Sequence, residues 1–499
     1  MKEPLLRIAH LGSYYAMSNI LQKSLGFLLI PIYTSYLTPK DYGIIGLLMV
    51  TVDFIERFAT APVGNGITRY YHSPDCQGRQ KELVFSGYAF VFIQMTILTA
   101  LFYLFNAPIT DIMLGDRSLS HITRAFAVVL LVHPMGRLIA SLLRIQGKAK
   151  FYAIVNIFRF ILTASLQVLL LVWRDMGVMA MVYGSIFAAW FDVFAMGPYI
   201  LRQIRFKFDW SLLKPILHYG YPLIIAAISV TIISMMDRYL LRIFGALSLV
   251  GLYSFGYSIS KMMTILWSTP FKQAFLPVVF EMEREPEKQR DFVKRSCTYI
   301  YTVAVMLWLF LSVFAKDFIM ILARNPEFWA AWTIVPILAF KELQAGVVVY
   351  FSNGIVMAKR SMLISGTSVV RLMLSAALLV LLVPLLGALG AALAVLFGQI
   401  ALNVIRAHYS RKLYGQVFEV SRLIAITGIG AGVFLTSFGV ILLDLPIWLG
   451  VPLKLIIIAF FPLLIWLTKV LEDYEIAQIV NLIRPYRSKG VLKLIPIRH

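Results

Sequence analysis

Residues 361–408 read SMLISGTSVVRLMLSAALLVLLVPLLGALGAALAVLFGQIALNVIRAH. Two mostly apolar stretches, 361–384 and 387–408, meet at Val383-Pro384-Leu385-Leu386-Gly387. About twenty such residues in a helix cross the hydrocarbon core of a bilayer. The Pro and Gly between them leave room for little more than a turn, so the stretch predicts a hairpin of two membrane-spanning helices. Runs of the same kind recur at 13–37, 41–62, 83–105, 121–145, 150–173, 177–200, 215–241, 248–277, 296–315, 329–356, 420–443 and 447–470. The fold class this predicts is an all-α integral membrane protein of about fourteen transmembrane helices. Composition agrees: of 499 residues 60% are hydrophobic and 14% charged, where a soluble domain carries about 25% charged residues.

The loops predict an orientation. One set carries Lys2 and Arg7; Arg69, Arg79 and Lys81; Arg144, Lys148 and Lys150; Arg202, Arg205, Lys207 and Lys214; five basic residues within 284–295; Lys359 and Arg360; Arg411, Lys412 and Arg422; and a basic tail from Arg484. The intervening set carries only Lys40, Arg117, Arg174, Arg242, Lys316 and Arg324. Cytoplasmic loops concentrate Lys and Arg, which places the first set and both termini inside. The formal charge of +21 is explained by this bias, and no basic run suggests a nucleic-acid partner. Cys76 and Cys297 show no metal-like spacing and both fall on the cytoplasmic side, so no disulfide is expected. Beyond the last span, Ile476, Ile479, Val480 and Ile483 stand at helical spacing. That suits an amphipathic helix on the inner surface, and a solvated tail is the alternative.

Two segments look alike. Pro31-Ile32-Tyr33-Thr34-Ser35-Tyr36-Leu37-Thr38-Pro39-Lys40-Asp41-Tyr42-Gly43-Ile44 closes one span, turns on the outer side and opens the next. Asp237-Arg238-Tyr239-Leu240-Leu241, followed by Val250-Gly251-Leu252-Tyr253-Ser254, does the same at the start of a second six-span block. Paired blocks facing each other across an axis along the membrane normal are a common transporter plan. These segments resemble the two signatures of the polysaccharide transporter family. That family comprises the O-antigen, capsule and exopolysaccharide repeat-unit flippases of the multidrug/oligosaccharidyl-lipid/polysaccharide exporter superfamily. The resemblance implies a six-helix N-terminal lobe at 1–211, a six-helix C-terminal lobe at 212–412, two additional helices within 413–471 and a cytoplasmic tail at 472–499. It implies a multi-pass protein of the bacterial cytoplasmic membrane, rocking about a central cavity. The substrate it implies is an undecaprenyl-diphosphate-linked oligosaccharide, taken from the inner leaflet and delivered to the outer one. Its further partners would be membrane lipids and the polymerase and chain-length regulator of the glycan pathway.

Ionisable residues inside spans are costly and by default mark a cavity or a partner. Arg57, Arg137, Arg159, Lys261, Lys341 and Arg371 come from six different spans and are the candidate lining of a cationic cavity for the diphosphate, since guanidinium groups offer phosphate paired donors. Asp53, Glu56, Asp192, Asp237 and Glu342 are the candidates for coupling to H⁺ or Na⁺. A one-turn pair such as Asp53 and Arg57 also suits a fixed salt bridge, Arg238 near a span end suits snorkelling, and His133 before Pro134 is a weaker candidate for a titrating group. Pro31, Pro134, Pro222, Pro270 and Pro336 are read as interrupting their helices. The sequence holds no phosphate loop, no H-E-x-x-H, no paired C-x-x-C and no G-x-S-x-G, so no catalytic residue, metal or cofactor is expected. The competing readings are a multidrug-cation antiporter or a peptidoglycan-precursor flippase of the same superfamily, a membrane polymerase or ligase, and a non-catalytic scaffold. The mid-span balance is basic, against a site for cationic drugs. The longest outer loop, about 106–120, is short for a polymerase or ligase.

Overall fold

The computed structural model describes residues 24–443 and 446–470, with Ser18, Leu21 and Gln22. The tail at 472–499, with its expected amphipathic helix, and most of 13–23 lie outside the described residues. The described chain is helical, with no strand. In order come α1 (Ser24–Tyr36), α2 (Pro39–Tyr70), α3 (Gln80–Leu104), α4 (Asn106–Leu114), α5 (Ser120–Ile145), α6 (Ala149–Val172), α7 (Val178–Gln203), α8 (Trp210–Phe244), α9 (Leu247–Ser260), α10 (Thr269–Glu281), α11 (Pro286–Val313), α12 (Ala315–Leu322), α13 (Val335–Met357), α14 (Ser361–Tyr414), α15 (Val420–Leu442) and α16 (Ile447–Leu467). Helix α14 reverses at Gly387, whose φ of 56° and ψ of −128° only glycine adopts readily. This is the hairpin the sequence predicts. With α9 and α10 counted as one broken pass and α4 and α12 as short connecting helices, the described residues make fourteen passes.

Nine of the described helices are long and apolar enough to cross a membrane by length and composition. Helix α2 misses that standard because Asp53, Glu56 and Arg57 sit in its middle. Three local differences from the sequence reading have physical causes. Asn106–Leu114 is a nine-residue helix, too short to register as a span, pinned where Thr110 and Thr123 both donate to the Asn106 side chain at 2.9 Å. Pro336 does not interrupt α13; it sits in its first turn, where the missing N–H costs nothing. The pass at 248–277 is broken: α9 ends at Lys261 and Thr264–Ser268 forms a π-helical turn before α10.

The start of α2 explains its own sequence. Thr38 caps the helix, Pro39 takes its first turn, and Asp41 completes a capping box by accepting from the Thr38 backbone N–H at 2.8 Å. Four residues on, α2 crosses α9 with glycine against glycine. A Cβ on Gly43 would lie 2.0 Å from the Leu247 carbonyl oxygen, and one on Gly251 would lie 1.7 Å from that of Pro39. The contact is reciprocal, and one sequence offset relates Pro39 to Leu247, Gly43 to Gly251 and Gly46 to Ser254. The two blocks therefore meet as pseudo-symmetric equivalents, on small residues that let backbones touch. Toward the other end of α2, Gly66 packs on Ile216 and Gly220 on Pro62 of α2. Helix α2 thus lies against the second block along its length.

Packing groups the chain into two compact units. One takes in the chain up to Pro270 and Lys316–Tyr414; its main core draws on α2, α3, α5, α8, α9, α13 and α14. The other takes in Phe271–Ala315 and the chain from Gly415. There α11 packs on α15 and α16, and Glu419 accepts from Thr298 at 2.7 Å and pairs with Lys294 and Arg422.

Candidate functional site

All the ionisable residues singled out in the sequence lie in the first unit, and they fall into two networks. The first joins α2, α5, α6 and α7. Asp53, Glu56 and Arg57 follow one another around a turn of α2, and Arg57 Nε donates to Asp53 Oδ2 at 2.8 Å. Helix α5 presents His133 and Arg137 one turn apart. Arg137 pairs with Glu56 at 2.5 Å and with Asp53 at 3.5 Å. His133 Nδ1 is 2.7 Å from the other Glu56 oxygen. Glu56 is nearly sealed, its side chain 1% exposed, whereas that of Arg137 is 45% exposed. Across α5, Arg159 of α6 donates to Asp192 of α7 at 3.2 Å and to Asn156 at 2.8 Å. Gly136 lets Asp192 lie directly against α5 between His133 and Arg137; a Cβ there would be 2.9 Å from the Asp192 Cβ. Three carboxylates face three arginines, so the network is balanced apart from His133.

The second network joins α8, α9, the π-helical turn, α13 and α14. Arg238 donates to Asp237 at 3.1 Å, to the Ser234 carbonyl at 2.8 Å and to Ser254 at 3.2 Å, while Tyr253 donates to Asp237 at 3.0 Å. Glu342 accepts from Lys341 at 2.7 Å and Thr264 at 2.6 Å and pairs with Lys261 at 3.1 Å. The Tyr257 ring is the hub: Lys261 Nζ, Arg238 Cζ and Lys341 Nζ stand 4.8, 5.0 and 5.3 Å from its centroid. Each such contact contributes about 0.5–2 kcal/mol, more as water is excluded. Arg371 is different. It is 7% exposed, its Nε has no hydrogen-bond partner, and it makes no ion pair among the described residues. It lies within electrostatic reach of Tyr257 and Glu342. Among the described residues this network thus holds four cations and two carboxylates, an excess of two positive charges. Arg406, also buried, adds another; its donors go to Thr367, Ser352, Ser368 and the Ile364 carbonyl at 3.0–3.2 Å, with no acid among them.

The six candidate cations are therefore not one group. Arg57, Arg137 and Arg159 each sit against a carboxylate of the first network. Lys261 and Lys341 share Glu342, and Arg371 makes no ion pair among the described residues, with Glu342 within electrostatic reach. Of the acids, Asp53 and Glu56 come together, Asp192 adjoins them across α5, and Asp237 and Glu342 belong to the second network. Asp237 and Arg238 lie inside α8, which continues to Phe244, and Arg238 is buried rather than snorkelling. Sequence reasoning misses Arg238 as a network member, and with it Tyr257, Ser254, Thr264, Asn156 and Arg406. Only Arg406 carries a signal of its own, a charge eight residues before the end of a long apolar helix.

The fold is all-helical, with two pseudo-symmetric blocks that each hold a buried polar network. The chain matches the polysaccharide biosynthesis protein family over residues 34–325, and it belongs to that family. No curated protein sequence matches it. Among solved structures it shares its fold with the lipid II flippase MurJ in an inward closed conformation, at 12% identity and a TM-score of 0.67, over 92% of this chain and 99% of that one. It shares it also with an inward-facing multidrug resistance MATE transporter of the MOP superfamily, at 16% identity and a TM-score of 0.62, over 78% and 94% of the two chains. The Vibrio cholerae MATE transporter VcmN aligns at 16% identity and a TM-score of 0.55, over 83% and 98%.

Proposed function

We propose that the protein is a flippase that carries polyprenyl-diphosphate-linked oligosaccharide repeat units across the bacterial cytoplasmic membrane, basic loops and termini inside, for the synthesis of a surface polysaccharide. The observation that carries this reading is the second network. Among the described residues Lys261, Lys341, Arg238 and Arg371 exceed Asp237 and Glu342 by two charges, and Arg406 beside Arg371 adds a third, enough to balance a diphosphate. A buried arginine without a counter-ion is expensive, and a diphosphate would supply the missing partner. Arg371 and Lys341 give the electrostatic attraction, and Tyr257 holds the cations in place when the site is empty. The same excess repels cationic drugs, which weighs against a multidrug-cation antiporter. Membership of the polysaccharide biosynthesis family favours a polysaccharide repeat unit over the peptidoglycan precursor. No chemical step on the substrate is needed, so the protein acts as a carrier and not as an enzyme.

The balanced first network suits energy coupling. Glu56 is shared between Arg137 and His133, so a cation bound at its carboxylate would compete with those contacts. The proposal is tested in cells lacking the gene. They should accumulate polyprenyl-diphosphate-linked oligosaccharide and lose surface glycan. Re-expressed Arg371→Lys should restore display in part and Arg371→Glu should not, with equal amounts of protein in the membrane. Full display with Arg371→Glu overturns the assignment.

A further inference from the structure

Toward the basic face of the first block, α2 and α5 line an open-sided pocket of about 430 Å³, a size typical of small-molecule sites, with Asn65, Thr68 and Arg144 exposed. Helix α2 lines it with Thr60, Gly64, Asn65 and Thr68, and α5 with Arg137, Ser141 and Arg144. The spacing of four and then four on α2, and of four and then three on α5, sets each row on one helix face. Ala61, Leu138 and Ile145 complete the lining, which is half polar and half apolar. Thr60 and Thr68 give their hydroxyl protons to the Glu56 and Gly64 carbonyls, which leaves their oxygens free to accept. The side chains of Asn65, Ser141 and Arg144 make no hydrogen bond or ion pair among the described residues. Arg137, at the deep end, is already neutralised by Asp53 and Glu56. The pocket therefore offers hydroxyl and carboxamide groups and one uncompensated positive charge, that of Arg144.

We propose that this pocket is a glycan subsite that recognises a sugar bearing one carboxylate, with the carboxylate on Arg144 and the sugar hydroxyls on Thr60, Asn65, Thr68 and Ser141. The inference rests on the flippase reading and adds a preference for acidic repeat units. A lipid tail has no use for five polar side chains, a cation meets two arginines, and a diphosphate finds half the charge it needs. Unsubstituted sugar hydroxyls both donate and accept, which matches oxygens that can only accept beside an amide and a hydroxyl that can do both. The diphosphate and the acidic sugar are then read in different blocks of the molecule, the first by Arg371 and its neighbours, the second by Arg144.

The test uses purified full-length protein and three probes. They are the lipid-linked oligosaccharide accumulated by cells lacking the gene, the same material with its carboxyl groups reduced to alcohols, and polyprenyl diphosphate alone. The parent should bind the first about tenfold more tightly than the second, the difference one charge-assisted contact supplies. Arg144→Gln should erase that difference and leave polyprenyl diphosphate binding unchanged. Ser141→Leu, which fills the pocket, should weaken both oligosaccharide probes and not the third. An accumulated head group without an acidic sugar overturns the subsite, and so does an Arg144→Gln variant that keeps the difference or weakens polyprenyl diphosphate equally. Absence of any accumulated lipid-linked oligosaccharide removes the flippase reading and the subsite with it, whereas the first two results remove the subsite alone.

Discussion

At the scale of single residues, the two networks differ in what they lack. Glu342 is oversubscribed, by Lys261, Lys341 and Thr264, while Glu56 is matched, by Arg137 and His133. Removing one partner of a buried pair costs about 3–5 kcal/mol because the other is left uncompensated, so flipping is compared at equal amounts of folded protein and with variants that keep side-chain volume. With His133→Asn or Glu56→Gln, lipid-linked oligosaccharide flipping in vesicles should lose its response to an imposed proton or sodium gradient and keep its basal rate. Unchanged gradient dependence in both variants would take the Glu56–His133 pair out of coupling. Part of this was readable in the chain. Asp53 and Arg57 stand four apart on one helix, and their bridge follows from spacing. The link from Glu56 to His133 and Arg137 spans about eighty positions and is invisible to any local rule. Tyr257 was unreadable for another reason: among 24 tyrosines, nothing in the sequence distinguishes the one that three cations surround.

Among the elements, the crossing of α2 and α9 is the most sharply constrained. Its glycines stand where a Cβ would meet a carbonyl oxygen at 2.0 Å or less. Gly251→Val should force the helices apart and destabilise this arrangement by about 1–3 kcal/mol, the usual cost of overpacking. Gly43→Val should do the same, and the double variant should cost less than the sum, because both changes strain one contact. Thermal unfolding in detergent checks this; parent-like stability of Gly251→Val would contradict the crossing. The likeness of the two segments around Gly43 and Gly251 is legible in sequence because the close approach forbids side chains at both places. The break of the eighth pass at Lys261 is not legible. Apolar residues continue through it, and the π-helical turn at Thr264–Ser268 leaves no composition signal.

At the scale of the whole molecule, fourteen passes were readable because length and hydropathy decide a membrane span with little help from tertiary contacts, and the charge of the loops decides its direction. A single cysteine at position 112 should react with an impermeant maleimide in intact cells, and one at 287 only after permeabilisation. Cys76 and Cys297 are 3% and 1% exposed and should add little background. Labelling of 287 from outside would invert the topology. What length and charge leave undetermined is which cations keep a counter-ion, and on that the account depends. The most direct test is flipping itself, in vesicles containing purified protein and lipid-linked oligosaccharide labelled on its head group. The parent should deliver the head group to the opposite leaflet, Arg371→Lys should retain part of the rate, and Arg371→Gln should lose most of it while still folding. Equal rates in the parent, in Arg371→Gln and in protein-free vesicles would contradict the account.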